Sequence, residues 1–283
     1  MSDEELTLPT RVGHAEWGDN HFRGYSIVRD LAGREDSTSL LALAIVGRRL
    51  DENERLMLDD LATAIHVADP RIWPLKLVRV TSSYGGCLAA VAAAIVSADR
   101  ARIGHHSTGG AAEVLLQLGE GLLLDGANGA ASGNSVLEER CRRLMADQSR
   151  PIGFGVPFRA RDERVDILTG RVVARGRNRL PYWRLYEAAA ETVWRIKSVR
   201  PNMTLAAAAV FLDMRFTPSQ IGPLMTAIGA NAFWANAVEG AEQMPAVLRV
   251  LPTSCVRYVG PPARPSPRAL TRQLDIALDR NSR

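Results

Sequence analysis

The stretch RPIGFGVPFRARDER, Arg150 to Arg164, decides how the rest of the chain is read. Gly153 and Gly155 flank Phe154, and glycine lets a backbone turn through positive φ or lie close against a ligand. Arg159, Arg161 and Arg164 follow, and guanidinium is the side chain that grips phosphate and carboxylate through a planar fork. The position after Gly155 is Val156, which can neither donate nor accept a proton. The segment therefore has the form of a ligand-holding loop without a reactive group at its turn.

Around this loop the chain has the composition of an ordinary folded protein. Its 283 residues are 46% hydrophobic and 23% charged, enough to bury a sizeable core and to form two lobes. The net charge is +4, but the arginines are interspersed with acids and form no basic block with interleaved aromatics, which argues against nucleic-acid binding. Cys87, Cys141 and Cys255 are odd in number and lack CxxC spacing, so neither a disulfide framework nor a zinc site is expected. Three further expectations follow: no metal, a reducing cytoplasm, and no signal peptide in the acidic start MSDEELTLPT. The apolar run Leu88 to Val96 is far shorter than the ~20 residues a membrane span needs.

Helical periodicity dominates. Leu40, Leu41, Leu43 and Val46 form one run and Leu56, Leu58, Leu61 and Ile65 another, stopped by Asp69-Pro70. The alanine-rich run from Cys87 to Val96 predicts an almost wholly buried helix, with Ala89 to Ala94 at a helix contact between two subunits. GANGAASGN (residues 126–134) reads as a flexible stretch, and helices are expected over 136–147, 185–199 and 205–211. The basic, proline-rich tail from Pro261 reads as extended chain. Strand signals are few, so the fold class is all-α.

Four segments, in order, resemble the citrate synthase family, and in particular its short citryl-CoA-lyase-like branch. They are RGYSIVRDLAG (23–33), TGGAAEVL (108–115), GFGVPFRARDER (153–164) and RPNMTLAAAAVFLDMRFTPSQI (200–221), with RVGH (11–14) and RYVGP (257–261) at the flanks. The family patterns they resemble are RGYDIxDLA, HGGAxE, GFGHPVYxxxDPR and PNVDxxxA. The resemblance implies a citrate-synthase-like two-domain helical fold, with residues 1–107 and 211–283 as the large domain and 108–210 as the small one. It also implies a homodimer that closes over an acyl-CoA and an oxo-acid, with coenzyme A thioester as substrate or ligand. In such a site a carboxylate takes a proton alpha to the thioester, neutral imidazoles stabilise the enolate, and arginines hold carboxylates.

Carried over residue by residue, most of that machinery is replaced. The histidine of HGGA corresponds to Thr108, that of GFGHP to Val156 and the aspartate of PNVD to Thr204. The last histidine of HADH corresponds to Asp69, and the arginine near the terminal motif to Thr253. Arg164 is retained. The catalytic candidates are therefore His105, His106, Asp69, Thr108 and Thr204. Those for the acid are His14, Arg23 and Arg164, and those for CoA are Gly153, Phe154, Gly155, Arg159 and Arg161. Blander readings stand beside them. His105 and His106 read more readily as a solvated loop pair, His66 as a helix-end residue and Asp69 as half of an Asp-Pro stop. Cys87 reads as inert packing. Two functions compete: an acyl-CoA lyase or acyltransferase with a rearranged catalytic set, and an inactive homologue that binds acyl-CoA or an acid, or regulates an active paralogue in a hetero-oligomer.

Overall fold

Among the described residues, eleven α-helices and a three-stranded sheet are built around one buried helix, α9 (Met203–Asp213). Its alanines 206–209 are fully buried, as are Leu205 and Phe211, because small side chains let neighbouring helices approach on every side. A computed structural model describes residues 8–66, 69–98, 104–122, 130–147, 151–156, 160–243, 254, 257 and 259–261. The chain divides into two compact units, residues 1–245 and 246–283, and every element described below lies in the first. The tail beyond Pro261, Cys255, Thr253 and Arg159 lie outside the described residues.

The N-terminal part is an antiparallel sheet in the order β1 (Gly13–Glu16), β2 (Asp19–Phe22), β3 (Tyr25–Ser26), turned at Gly18 with φ 86°. A π-helical turn (Ile27–Leu31) leads to α1 (Ser37–Val46) and α2 (Glu52–Ala64). Both helices begin where an aspartate caps free backbone N–H groups. Asp36 accepts from Ser39 N at 2.7 Å, and Asp51 with Glu54 forms a reciprocal capping box. Arg23 anchors the sheet to α1 by donating to the Ala44 carbonyl in its last turn, where the helix dipole favours a cation.

Helices α3 (Trp73–Tyr84), α4 (Cys87–Ala98) and α11 (Asn231–Ala241) form a layer with its own core, Leu75, Val78, Ala90, Val91, Ala94, Phe233 and Ala237. The approach of α3 to α11 is close enough to need glycine. A Cβ on Gly240 would lie 2.8 Å from Arg79 Cα and collide with the Ser82 hydroxyl. Among the described residues only one face of α4 is covered, and Leu88, Ala89, Ala92, Ile95 and Val96 are exposed. The helix is therefore half-buried within its own chain, not the almost wholly buried one that its alanines suggest.

The main core joins α5 (Ser107–Gly119), α6 (Ala130–Asp147), α7 (Glu163–Ala174), α8 (Pro181–Lys197), α9 and α10 (Pro218–Gly229). Helix α6 starts at Ala130, inside the stretch read as flexible, while 123–129 lie outside the described residues. Helix α8 opens on Pro181, a residue preorganised for the first helical position, and the Asp213 carboxylate caps it by accepting from Tyr182 N and Trp183 N at 2.9 Å each. Helices α5 and α10 cross at Gly109, whose added Cβ would lie 2.7 Å from the Pro218 carbonyl oxygen. Cys87 and Cys141 are free thiols. Cys141 is buried in this core, which pushes its pKa up to about 11, while Cys87 sits 3.5 Å from the Ala237 carbonyl oxygen.

Candidate active site

The glycine loop is stitched to the segment that starts α9. Phe154 bridges to Pro201, Gly155 N donates to the Arg200 carbonyl at 2.8 Å, and Asn202 N donates to the Gly153 carbonyl at 2.9 Å. The Asn202 side chain closes the seam, with Nδ2 donating to the Gly155 carbonyl and Oδ1 accepting from Thr204 N. Gly153 has φ 93°, and a Cβ there would lie 2.8 Å from Leu205 Cδ1, so packing on α9 alone accounts for this glycine. Gly155 has φ 77°, and a Cβ there would meet only Val199 Cγ1 at 3.9 Å, an ordinary contact, so it is the backbone conformation that demands glycine, and its face is half-exposed. Phe154 points into the core.

Asp162 is the hub of the site. It is buried, and it accepts from Arg164 Nε at 2.8 Å and Nη2 at 2.7 Å and from Met203 N at 2.9 Å, tying the start of α7 to the start of α9. Burial works to raise its pKa, but the Arg164 guanidinium and the two backbone N–H groups outweigh this and hold it below the usual carboxylate range. Arg164 continues the chain by donating through Nη1 to the Ile65 carbonyl at 3.2 Å. The same carbonyl faces the His105 ring as an acceptor and works to raise its pKa. Met203 N, Asp162, Arg164, Ile65 and His105 thus form one continuous polar chain. It brings together the end of α2 and the segments that start α5, α7 and α9.

His105 is pushed down to about pH 4 by burial, so its imidazole is neutral near pH 7. Its ring occupies a slot beside Gly229, where a Cβ would lie 2.5 Å from the imidazole, and 6.2 Å from the Phe233 ring. The His106 ring lies in the same way against Gly222, 3.2 Å from where a Cβ would be. Two glycines one heptad apart on α10 therefore make room for two successive histidines, a pairing that no local pattern in the sequence announces.

The other candidates are distributed as follows. Thr108 is fully buried, and its hydroxyl donates to the His105 carbonyl at 2.8 Å. Thr204 is half-buried in the first turn of α9. Both Asp69 carboxylate oxygens accept from the Arg71 guanidinium, and Oδ1 also accepts from Arg71 N. His66 lies just past α2, with Nδ1 3.3 Å from the Thr63 carbonyl oxygen. His14 and Arg23 belong to the N-terminal sheet, where His14 contacts Glu16 and His21 and Arg23 contacts α1. Arg161 is exposed and pairs with Asp166 at 3.3 Å.

A cavity of about 330 Å³ opens next to the seam, between α7 and α8, lined by Arg161, Asp162, Tyr186, Trp194, Arg200 and Pro201 among others. Arg200 lays its guanidinium 4.2 Å from the centre of the Trp194 ring, a cation–π contact that presents a flat cationic surface. The sequence reading passed over Asp162, Trp194 and Arg200. Asp162 had a legible signal, an aspartate immediately before a helical run. Trp194 and Arg200 lie on either side of a helix end, and only the fold brings them together.

No protein-family profile matches the sequence, and no curated protein matches it either. Solved structures do. The citryl-CoA lyase from Hydrogenobacter thermophilus superposes with a TM-score of 0.73 at 18% identity, covering 93% of this chain and 99% of that one. The citrate synthase from Thermotoga maritima MSB8 gives 0.59 at 17% identity, covering 78% of this chain and 57% of that one. The ATP citrate lyase from Methanothrix soehngenii, in complex with citrate and coenzyme A, gives 0.68 at 12% identity, covering 92% of this chain and 43% of that one. The protein has the mostly helical citrate-synthase-like fold of these enzymes.

Proposed function

We propose that this protein handles a coenzyme A thioester, making or cleaving a carbon–carbon bond of the citryl-CoA type with a non-standard set of side chains. The observation that carries this reading is the polar chain from Met203 N through Asp162, Arg164 and Ile65 to His105, set beside the glycine seam. Helix N-termini carry positive partial charge and favour carboxylates and phosphates, and α7 and α9 both begin here. Arg164 has five N–H donors, of which three are engaged, so two remain for a carboxylate of the acid. With the Ile65 carbonyl facing its ring as an acceptor, neutral His105 turns its one N–H there and offers its second nitrogen as a hydrogen-bond acceptor for a hydroxyl of the acid. The half-exposed face of Gly155 and the Arg200–Trp194 surface suit a nucleotide.

In the cleavage direction a base takes the proton of the tertiary hydroxyl, and that oxygen becomes the ketone. The carbon–carbon bond pair passes to the thioester as an enolate, which then takes a proton at carbon. Asp69 is the carboxylate assigned to the base. Closure of residues 108–210 over the remainder, and a second copy of the chain covering the apolar face of α4, belong to the same proposal.

A second reading, an inactive acyl-CoA or acid-binding homologue, is favoured by specific geometry. The Thr108 hydroxyl is engaged by the His105 carbonyl just ahead of its helix, and Asp69 is paired to Arg71. One experiment separates the two. The purified chain is mixed with citryl-CoA, release of acetyl-CoA and oxaloacetate is followed, and CoA binding is measured by calorimetry. Product release supports the enzyme, and saturable binding without release supports the inactive homologue. Neither binding nor release overturns both.

A further inference from the structure

The N-terminal hairpin carries a group of side chains that the proposed chemistry does not use. Strand residues two apart share a face, and directly paired residues face the same side, so the register His14↔His21 and Glu16↔Asp19 puts two imidazoles and two carboxylates on one face. The rings of His14 and His21 are parallel within 5° with centroids 4.6 Å apart, and His14 Nε2 is 2.8 Å from Glu16 Oε1. One donor atom from each of His14, Glu16 and His21 lies within 4.8 Å of the others. We propose that these three residues form a binding site for a divalent first-row transition cation, zinc being the best match.

The donor set selects the class of ion. Imidazole nitrogen with carboxylate oxygen suits zinc, nickel and copper, whereas calcium and magnesium prefer all-oxygen sites. Tetrahedral zinc at its usual bond lengths holds neighbouring donors about 3.3 Å apart, so the side chains need only a small inward rotation. The exposure of His14 and Glu16 leaves the fourth position to water. Two further details fit. His21 Nδ1 is shielded from solvent and has no hydrogen-bond partner among the described residues, a costly state for a buried polar atom unless something ligates it. Asp19, 4.0 Å from His21 Nε2 and fixed by the Ser26 hydroxyl at 2.6 Å, stands where an outer carboxylate would orient a ligating imidazole. Zinc would cross-link β1 to β2 next to Arg23, which ties the same sheet to α1.

The test uses the full chain without a polyhistidine tag, stripped with chelator and titrated with zinc against a chromophoric competitor. Cobalt serves as the spectroscopic probe. One equivalent should bind per chain, with a visible ligand-field band for tetrahedral cobalt and a raised midpoint of thermal unfolding. His21→Asn should weaken binding by more than about 100-fold, since outer-sphere changes alone cost 10- to 100-fold. Glu16→Gln, at an exposed position that leaves folding intact, should weaken it at least about tenfold. No binding by the parent, or unchanged affinity in Glu16→Gln together with His21→Asn, would overturn the site and place any bound metal elsewhere.

Discussion

Helices α4 and α9 look alike as text. CLAAVAAAIVSA and MTLAAAAVFLD are both alanine-rich, strongly apolar and free of internal charge until the final residue of α9. The fold treats them oppositely. Helix α9 is enclosed by α5, α7 and α8, with its alanines fully buried. Helix α4 touches α3 and α11 on one side and leaves Leu88 72% and Val96 75% exposed on the other. Alanine content therefore reports that something packs closely against a helix, without saying whether that partner lies in the same chain. For α4 the proposed partner is a second copy of the chain.

The largest contrast should come from deleting one apolar side chain on each helix. Phe211→Ala should destabilise the chain by about 3–5 kcal/mol in chemical denaturation, because a filled core position becomes a cavity. Val96→Ala in the isolated subunit should fall within about 0.5 kcal/mol of the parent. Equal losses would show that the α4 face is covered within the chain. Next in size is Gly109→Ala, where the new Cβ meets backbone and α5 must shift from α10. A loss of about 1–3 kcal/mol is expected, and a stability matching the parent would contradict the close crossing.

Titration sharpens the same contrast, because two half-buried groups near the α9 core have shifted pKa values. Asp213 is raised to about 6 by burial. Its contribution to stability is therefore full below its ordinary value and is lost as pH rises through 6. His105 is lowered to about 4, so its contribution is full above its ordinary value of 6.5 and is lost as pH falls toward 4. Between pH 4 and 6 the two slopes oppose each other. Asp213→Asn should leave a stability that falls on acidification, and His105→Gln one that rises. Denaturation curves across that window check both signs, and parallel curves for the two variants would refute the assignment.

The smallest change in subunit stability, with the largest change in assembly, should come from Leu88→Asp combined with Val96→Asp. Light scattering should show a dimer for the parent and a monomer for the double variant, with an unchanged helical spectrum. A parent that is already monomeric at micromolar concentration would remove the second copy.

The fold was legible because glycines, prolines and alanine runs report backbone geometry locally, and these survive in RGYSIVRDLAG, GFG and RPN even where reactive side chains have changed. The end of α2 at Ala64 fell a few residues before its Asp69-Pro70 breaker for the same reason. The site was less legible. Gly153 looked like a ligand contact, yet Leu205 alone requires it, and Arg164 looked like an open carboxylate clamp, yet Asp162 holds two of its nitrogens. The slots for His105 and His106 depend on Gly229 and Gly222, more than a hundred residues further along the chain. Such pairings are made by tertiary packing and leave no periodic signal.

The central claim is that the glycine seam and the Arg164 chain still serve a CoA thioester and an acid. Calorimetric titration of the full chain with coenzyme A is the direct test, alongside Arg200→Ala, which removes the cationic surface beside the loop and leaves its backbone turn alone. Saturable heat at one site per chain is expected for the parent, with binding weakened about tenfold in Arg200→Ala and both proteins folded. Absence of heat in the parent at millimolar coenzyme A, or equal binding by Arg200→Ala, would contradict it.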